Sequence, residues 1–532
     1  MAQSKKNFRI IVLVTVLLIL LTRGLTISHN MELHPDEHVF FNAAQSLKGY
    51  LSGSSPIYEE VKTYPEGAIV YQLPFHILTA ILNRIFDAGI SPQLSGRIAA
   101  VFYFTVGAVL GLVLIYRFFS KKLIYSIIYS LTVVFSLFHI EQSRYGTGDP
   151  ISYFLLMAII LLTATALSAQ RRRIFYLLSA TFLSGSLCAV KYPLLFFAVI
   201  PLYGLIVLLK DRSSGKKAGL IFAFIVLLYV GFACFSPKAA FDPSYILSTS
   251  TRELDAYVGG LSIFNFSQLW NHSVSVFSYA MLYSGLPIAP VFFVAELIRH
   301  KKAHIERSSL DTLLYALIPI LIIIFLVYNI FVPLLFMRSI YPFFFLTDIY
   351  AVMYIGHWLY GQGARLAISF VLTVFMVLRG GCLVYYMVTD NSLERITELC
   401  VSSVDENWNK TTLISGFAVL PQDFYHYKNP EQLGFDDNRF SASETIELNP
   451  GELCITGSGS YTFEKLSVPF WPGSDVLSDA GSRWLSFMDV NSDYYRGTLY
   501  PQNYIYYLFG YWILGSTGNS YEFPCVQVYY RP

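Results

Sequence analysis

The sequence predicts a polytopic α-helical membrane protein with a C-terminal soluble α/β or mainly β domain, and three observations carry that prediction. The 532 residues are 55% hydrophobic and only 14% charged, with a mean hydropathy of +0.51, whereas soluble chains are about 25% charged. About eleven stretches are apolar over the roughly 20 residues that a bilayer-crossing helix needs: 10–28, 98–117, 123–140, 151–169, 174–190, 193–209, 218–235, 275–298, 310–332, 340–360 and 364–388. Basic clusters recur between alternate stretches, at Arg117/Lys121/Lys122, Arg171-Arg172-Arg173, Lys210 to Lys217, Arg299 to Arg307 and Arg365, all on the side of Lys5 and Lys6. The positive-inside rule makes that side cytoplasmic. The N-terminus is then cytoplasmic, and an odd number of spans leaves the tail outside. A net charge of +2, with the basic residues in short loop clusters, reports topology and argues against a nucleic-acid surface.

The first element, Ile10 to about Ile27 behind Lys5-Lys6-Asn7-Phe8-Arg9, reads as a retained signal anchor. Its apolar run exceeds the roughly 7 to 15 residues of a cleavable signal, and no small-residue cleavage pattern accompanies it. Residues 29–97 follow as a long first outer loop. Within it, Ala68 to Phe86 is apolar but interrupted by Pro74, His76, Asn83 and Arg84, which suits a helix lying in the interface better than one crossing the bilayer. The next long outer segment, 236–274, is polar and aromatic.

From about residue 389 the composition changes. Acidic residues, Asn, Ser, Gly and Tyr rise, and short alternating apolar runs are punctuated by Gly and Pro, which reads as a small folded domain outside the membrane. Its tyrosines read first as core and edge packing and second as a carbohydrate-stacking surface. The organisation is therefore a membrane module over 1–388 and an extracytoplasmic domain over 389–532. Six cysteines show no CxxC or Cys/His spacing, which argues against structural zinc. One disulfide among Cys400, Cys454 and Cys525 is compatible with their position.

Charged clusters sit where spans leave the membrane on the outer side. His34-Pro35-Asp36-Glu37-His38 comes first. Its acid pair suits the start of a surface helix, where carboxylates complement the dipole, and equally suits chemistry at a membrane border. Glu141-Gln142-Ser143-Arg144-Tyr145-Gly146-Thr147-Gly148-Asp149-Pro150 follows the third span. Asp149 as an N-cap ahead of Pro150 is an ordinary helix start, but capping leaves Glu141 and Arg144 unexplained. Lys191, followed by Tyr192, suits either snorkelling or an anion contact. Arg338 opens the tenth span, either as a belt anchor or as a planar fork for phosphate oxygens. Acids to take a hydroxyl proton and cations to hold a departing phosphate are what glycosyl transfer from a lipid-linked phosphosugar requires.

These motifs resemble a known family. The acidic pair of the first outer loop, the Arg-Tyr-x-x-x-Asp pattern of Arg144, Tyr145 and Asp149, the Lys191-Tyr192 step and Arg338 opening a late span are similar to polyprenyl-phosphate-dependent glycosyltransferases of the GT-C class. The nearest branch is that of protein O-mannosyltransferases and lipid A aminoarabinose transferases. His34-Pro35-Asp36-Glu37 is also similar to the signature of the endoplasmic reticulum mannosyltransferases that extend dolichol-linked glycans. The resemblance covers about residues 10–360. Where the family often has Arg-Tyr-x-x-Pro, this chain has Arg338-Ser339-Ile340-Tyr341-Pro342.

The resemblance implies a GT-C-like fold and inverting displacement, with Asp36 as the base and Glu37 as its catalytic companion. It implies that Lys191 and Arg338 grip the donor phosphate, and that His34, His38, Tyr64, Glu141, Arg144, Tyr145, Asp149, Tyr192 and Tyr341 line the substrate site. Asp36, Glu37, His38, Glu141 and Asp149 offer ligands for a divalent cation, but a cationic phosphate clamp makes one dispensable, so no metal or other cofactor is expected. The expected partners are a polyprenyl-phosphate sugar donor, a glycan, lipid or protein acceptor, and membrane lipids. Compact loops and the lack of a terminal retention signal favour a bacterial plasma membrane. The rival reading is a transporter or flippase for lipid-linked glycans. It calls for paired charges in mid-span, and the apolar runs hold almost none.

Overall fold

The computed structural model describes residues 2–27, 37–45, 66–119, 123–169, 171–210, 213–242, 244–247, 341–358, 363–389, 392–404, 412–415, 431–432, 447–457, 490–499 and 526–532, with a few single residues between 291 and 313. Among them, eight helices are long and apolar enough to cross a membrane. The protein is an integral membrane protein, mostly helical, with a small sheet near its C-terminus. Of the expected spans at 275–298 and 310–332 only single residues are described.

Among the described residues the chain divides into two compact units, on either side of Gly380/Gly381. The first opens with α1 (Ala2–Gly24), whose Thr15 and Thr22 hydroxyls bond back to Ile11 and Leu18 carbonyls at 2.7 Å. Such back-bonding satisfies hydroxyls where water is absent. Thr15 also meets Ser130 at 2.6 Å, joining α1 to α5 (Leu123–Phe135). Helix α2 (Glu37–Gln45) opens on an acidic residue, as the helix-start reading anticipates.

Helix α3 (Gly67–Phe86) forms where a helix was expected. The stretch read as interfacial is one continuous 20-residue helix, Pro74 included, and is long and apolar enough to span. Of the residues that interrupt its pattern, His76 is buried and Asn83 is bonded within the protein, whereas Arg84 is exposed. Thr79 Oγ1 lies 2.9 Å from Ser95 Oγ of α4 (Pro92–Leu114), and the Asn83 amide bonds both the N–H and the carbonyl of Ile90, at 2.9 and 2.7 Å. Periodicity shows that a helix carries polar side chains but not what they face. Helix α4 starts on Ser91, which accepts from Leu94 N at 3.1 Å, with Pro92 in its first turn.

The expected third span is also broken. Helix α5 has 13 residues and ends before Ser136, whose extended backbone and Oγ cap a separate short helix, α6 (Leu137–Gln142). Helices α7 (Asp149–Ser168) and α8 (Arg173–Val190) match two expected spans. A 3-10 turn (Tyr192–Ala198) runs into α9 (Val199–Leu209), and α10 (Ser214–Phe235) is followed by the short α11 (Pro237–Phe241). Helices α12 (Tyr341–Trp358) and α13 (Ala364–Thr389) complete the apolar series.

Glycine decides how close these helices come. A Cβ on Gly185 of α8 would stand 2.0 Å from the Leu228 carbonyl oxygen, and one on Gly231 of α10 2.0 Å from that of Phe182. Lipid tails are as apolar as leucine, so dispersion across such close backbone contact is what joins helices in a bilayer. Gly107 and Gly111 of α4 likewise admit Tyr153 and Tyr129, whose hydroxyls meet at 2.6 Å.

The second unit holds α14 (Ser392–Val404), packed on β4 and β5 of a mixed five-stranded sheet of order β2-β1-β3-β5-β4. The strands are β1 (Thr412–Ser415), β2 (Glu431–Gln432), β3 (Glu452–Gly457), β4 (Tyr495–Leu499) and β5 (Val526–Tyr530). Strand β1 is parallel to β2 and β3, while β5 runs antiparallel to β3 and β4. Leu453, Cys454, Val528 and Tyr529 are buried in this unit, as is Cys400. Cys400 and Cys454 are both free thiols, so no disulfide joins these two. Cys525 lies outside the described residues.

Candidate active site

Residues 143–148, between α6 and α7, are buried along their whole length, so their backbone and charges must find partners in other elements. Arg23, at the end of α1 and fully buried, donates from Nε to Ser143 Oγ at 3.0 Å and from its other nitrogens to the Val134 and Val133 carbonyls at 2.6 and 2.9 Å. Those carbonyls belong to the last turn of α5, where the break at Ser136 removes their intrahelical donors.

Gly146 is held from three sides. Its N–H donates to Glu37 Oε1 at 2.6 Å, and its carbonyl accepts from Gln72 Nε2 at 2.7 Å. A Cβ added to it would stand 3.1 Å from the Gly96 carbonyl carbon. Glu37, 2% exposed, also receives Arg97 through both oxygens at 3.0 Å, and Arg97 is 0% exposed. A third Arg97 nitrogen donates to the Ile27 carbonyl at 3.0 Å. The Tyr145 ring centroid lies 5.7 Å from the Arg97 guanidinium and 4.7 Å from that of Arg144, which also donates to the Tyr145 hydroxyl at 2.7 Å. Rings near cations in a dry site add attraction that water would screen.

Asp149 is the first helical residue of α7. Gly148 holds the capping position and no side chain caps there, which corrects the expected N-cap role. The Asp149 carboxylate instead pairs with Lys191 Nζ and accepts from Thr147 Oγ1 at 3.4 Å. Lys191 is 29% exposed and Asp149 3%. Lys191 has extended backbone at the end of α8, where the chain is tightly packed: a Cβ on Gly67 would stand 2.5 Å from the Ala189 carbonyl carbon, and one on Gly148 3.0 Å from Val190 Cγ1. The start of α3, the loop and the end of α8 therefore meet.

Glu66, just ahead of α3, reaches the segment that begins at residue 236. Its Oε2 accepts from Ser236 Oγ and Lys238 N at 3.0 Å and from Ala239 N at 3.2 Å, so it satisfies the free amides that open α11. Burial lowers the pKa of the nearby Lys238, against the opposing pull of Glu66.

Of the residues singled out in the sequence, Glu37, Arg144, Tyr145, Asp149 and Lys191 are joined through this loop. Glu141 is buried in the last turn of α6, and Tyr192 begins the 3-10 turn beside Phe232, ring centroids 6.1 Å apart. His34, Asp36, Tyr64 and Arg338 lie outside the described residues, as do the side chains of His38 and Tyr341. Sequence reasoning missed Arg23, Gln72, Arg97, His139 and Asp348. Arg23 lies within the first apolar stretch and Arg97 just ahead of the second, and neither belongs to a charged cluster. Asp348 sits within a run, where its charge was the available signal. His139 Nε2 lies 3.3 Å from Asp348 Oδ2, both side chains 2% exposed. Among the described residues no three His, Cys, Asp or Glu side chains converge as a metal site would require.

No protein-family model matches the chain, and neither does any curated sequence. Among solved structures it is similar to ArnT from Cupriavidus metallidurans in the apo state, at 11% identity over 86% of this chain and 94% of that one, with a TM-score of 0.42. It is also similar to the archaeal oligosaccharyltransferase AglB from Archaeoglobus fulgidus in complex with an inhibitory peptide and a dolichol-phosphate, at 11% identity over 92% of this chain and 72% of that one, with a TM-score of 0.43.

Proposed function

We propose that the chain is a GT-C membrane glycosyltransferase that moves a sugar from a polyprenyl phosphate to an acceptor hydroxyl on the non-cytoplasmic face. The observation that supports this reading best is the meeting of three stretches far apart in the chain. Glu37 bonds Gly146, and Asp149 of the same segment pairs with Lys191. An acidic element and a partly exposed ammonium are thus tied to one buried loop, which suits a site handling a proton at one end and a phosphate at the other.

Asp36 takes the proton of the acceptor hydroxyl. The oxygen then attacks the anomeric carbon from the face opposite the phosphate, the glycosidic C–O bond to phosphate breaks, and polyprenyl phosphate leaves with the electron pair and inverted product stereochemistry. Glu37, with its oxygens engaged by Arg97 and Gly146, positions this segment rather than accepting the proton. Lys191 neutralises the departing phosphate together with Arg338, and Asp149 holds the Lys191 ammonium when no donor is present. The C-terminal domain, over 389–532, helps select the acceptor. The site faces the periplasm of a bacterial cell and works without a metal.

The test uses the full chain in lipid nanodiscs with a panel of polyprenyl-phosphate sugars, reading transfer by mass spectrometry. Asp36→Asn is expected to lower transfer by at least about 100-fold, the scale of a lost general base, while polyprenyl phosphate still binds. Unchanged transfer in that variant removes the assignment.

A second reading, a flippase or transporter for lipid-linked glycans, gains from the structure. His139 and Asp348 form a buried polar contact between helices, Nε2 to Oδ2 at 3.3 Å, the sort of in-bundle polar pairing that such a protein calls for. Donor translocation in proteoliposomes that persists in Asp36→Asn, with no transfer by the parent chain, favours it.

A further inference from the structure

Gln93 lies in the first turn of α4 and is 2% exposed, yet among the described residues nothing bonds to its side chain: neither the Nε2 donor nor the Oε1 acceptor has a hydrogen-bond partner. Taking an amide out of water without replacing its hydrogen bonds costs free energy, and native proteins keep few such groups. Asn83, near the end of α3, is the contrast. Its amide donates to the Ile90 carbonyl at 2.7 Å and accepts from the Ile90 N–H at 2.9 Å, closing the turn between α3 and α4.

The neighbours of Gln93 place it at the candidate site. Ser95, Gly96 and Arg97 are buried beside it, and each has a structural task. Ser95 meets Thr79 at 2.9 Å, Gly96 lets the Gly146 backbone come close, and Arg97 holds Glu37. Gln93 and Arg97 are four positions apart, so they share one face of α4. Helical side chains lean towards the N-terminus, which sets the Gln93 amide one turn beyond the Glu37–Arg97 pair.

Which atoms are unbonded says what would suit them. A phosphate or carboxylate only accepts, and would satisfy Nε2 but not Oε1; a cation would satisfy Oε1 but not Nε2. Two adjacent sugar hydroxyls, each a donor and an acceptor, answer both ends of one amide. We infer that Gln93 is a sugar-recognition residue, its amide bonding hydroxyls of a glycosyl group brought to the site beside Glu37 and Arg97. That the ligand is a sugar rests on the glycosyl-transfer reading, whereas the need for a ligand with both donors and acceptors rests on the amide itself.

The experiment compares Gln93→Met, which keeps the length of the side chain and removes its polar atoms, with Asn83→Leu in the full chain in nanodiscs. Three quantities are read: the thermal midpoint without ligand, affinity for a panel of short-chain polyprenyl-phosphate hexoses and pentoses and for the same lipid phosphate without sugar, and affinity for free oligosaccharides. Gln93→Met is expected to keep or raise the midpoint, because an unpaired buried amide is gone. It is expected to weaken binding of a sugar-bearing ligand by about tenfold or more, the scale of two lost hydrogen bonds, with the bare lipid phosphate bound as before. Asn83→Leu should do the reverse, lowering the midpoint and leaving sugar affinity unchanged.

A loss confined to the sugar-loaded lipids assigns Gln93 to the donor sugar, and one confined to oligosaccharides assigns it to an acceptor glycan; either supports the inference. A lowered midpoint with unchanged sugar affinity overturns it and leaves an amide satisfied by internal water. Equal losses for sugar-loaded and bare lipid phosphate overturn it as well. A parent chain whose sugar affinity depends on Gln93 but which transfers no sugar sinks the transferase reading while the recognition site stands.

Discussion

Glu37 and Arg97 form a two-pronged ion pair, with both Glu37 oxygens 3.0 Å from Arg97 nitrogens and neither side chain reaching solvent. The start of α2 is thereby anchored to the start of α4, and through Gly146 to the loop between α6 and α7. Removing one member of such a pair strands the other charge, at a cost of about 3–5 kcal/mol. Glu37→Gln is accordingly expected to lower the thermal midpoint in detergent by several degrees. Glu37→Gln combined with Arg97→Met should lose less than the two single variants summed, because the stranded guanidinium is gone. Additive losses in that double-mutant cycle would show that the pair is not a unit.

Lys191 and Asp149 separate stability from donor capture. Lys191→Met leaves a carboxylate that is 3% exposed without its ammonium, so both stability and donor affinity should fall. Adding Asp149→Asn should restore the thermal midpoint but not the affinity, which is expected to stay about tenfold or more below that of the parent, the scale of a lost charge-assisted contact. Recovery of both together, measured by donor titration, would assign Lys191 to structure alone.

Gly67 sits against backbone that cannot yield. A methyl group there would stand 2.5 Å from the Ala189 carbonyl carbon, whereas one on Gly215 would meet nothing within 4 Å. Gly67→Ala is expected to destabilise the chain by about 1–3 kcal/mol, as overpacking does, and to disturb Lys191 next to the contact. Gly215→Ala should be near neutral. Size-exclusion profiles and thermal midpoints of the two variants make the comparison.

Cys400 and Cys454 are buried thiols in the second unit. Burial pushes the Cys400 thiol up to about 12 from an ordinary value of 9.0, and raises Cys454 as well. Both stay protonated in the folded unit, so alkylation by N-ethylmaleimide at pH 8 should be slow until denaturant is added, as intact mass will show. The linked effect on stability has a definite sign. Below pH 9 both folded and unfolded states hold these protons. Between 9 and about 12 only the unfolded state gives up that of Cys400, so the unit should lose stability by up to about 1.4 kcal/mol per pH unit for each such thiol.

Much of the site was legible in the chain. The stretch around Glu37, the loop with Arg144, Tyr145 and Asp149, and Lys191 all stood out as charges at the ends of apolar runs, and the structure joins them. The role of Asp149 was misread, because a helix start invites a capping interpretation and its true partner, Lys191, is 42 positions away. Helix α3 was legible as a helix, but the partners of its polar residues were not. Pro74, His76 and Asn83 look like breaks in an apolar face, but Asn83 is engaged by Ile90 and Thr79 by Ser95, contacts that periodicity does not reveal.

Length and hydropathy alone established the helical membrane character of the chain and the approximate limits of most described spans, because backbone hydrogen bonds within a helix and transfer of side chains into lipid are local properties. They also marked where the composition turns from membrane to folded tail. Which charges meet was decided only by tertiary structure. Glu37 with Arg97, Glu66 with Ser236, and His139 with Asp348 lie 60, 170 and 209 positions apart. A buried charge takes its partner from whichever helix packing brings within about 3 Å, and no local pattern encodes that distance.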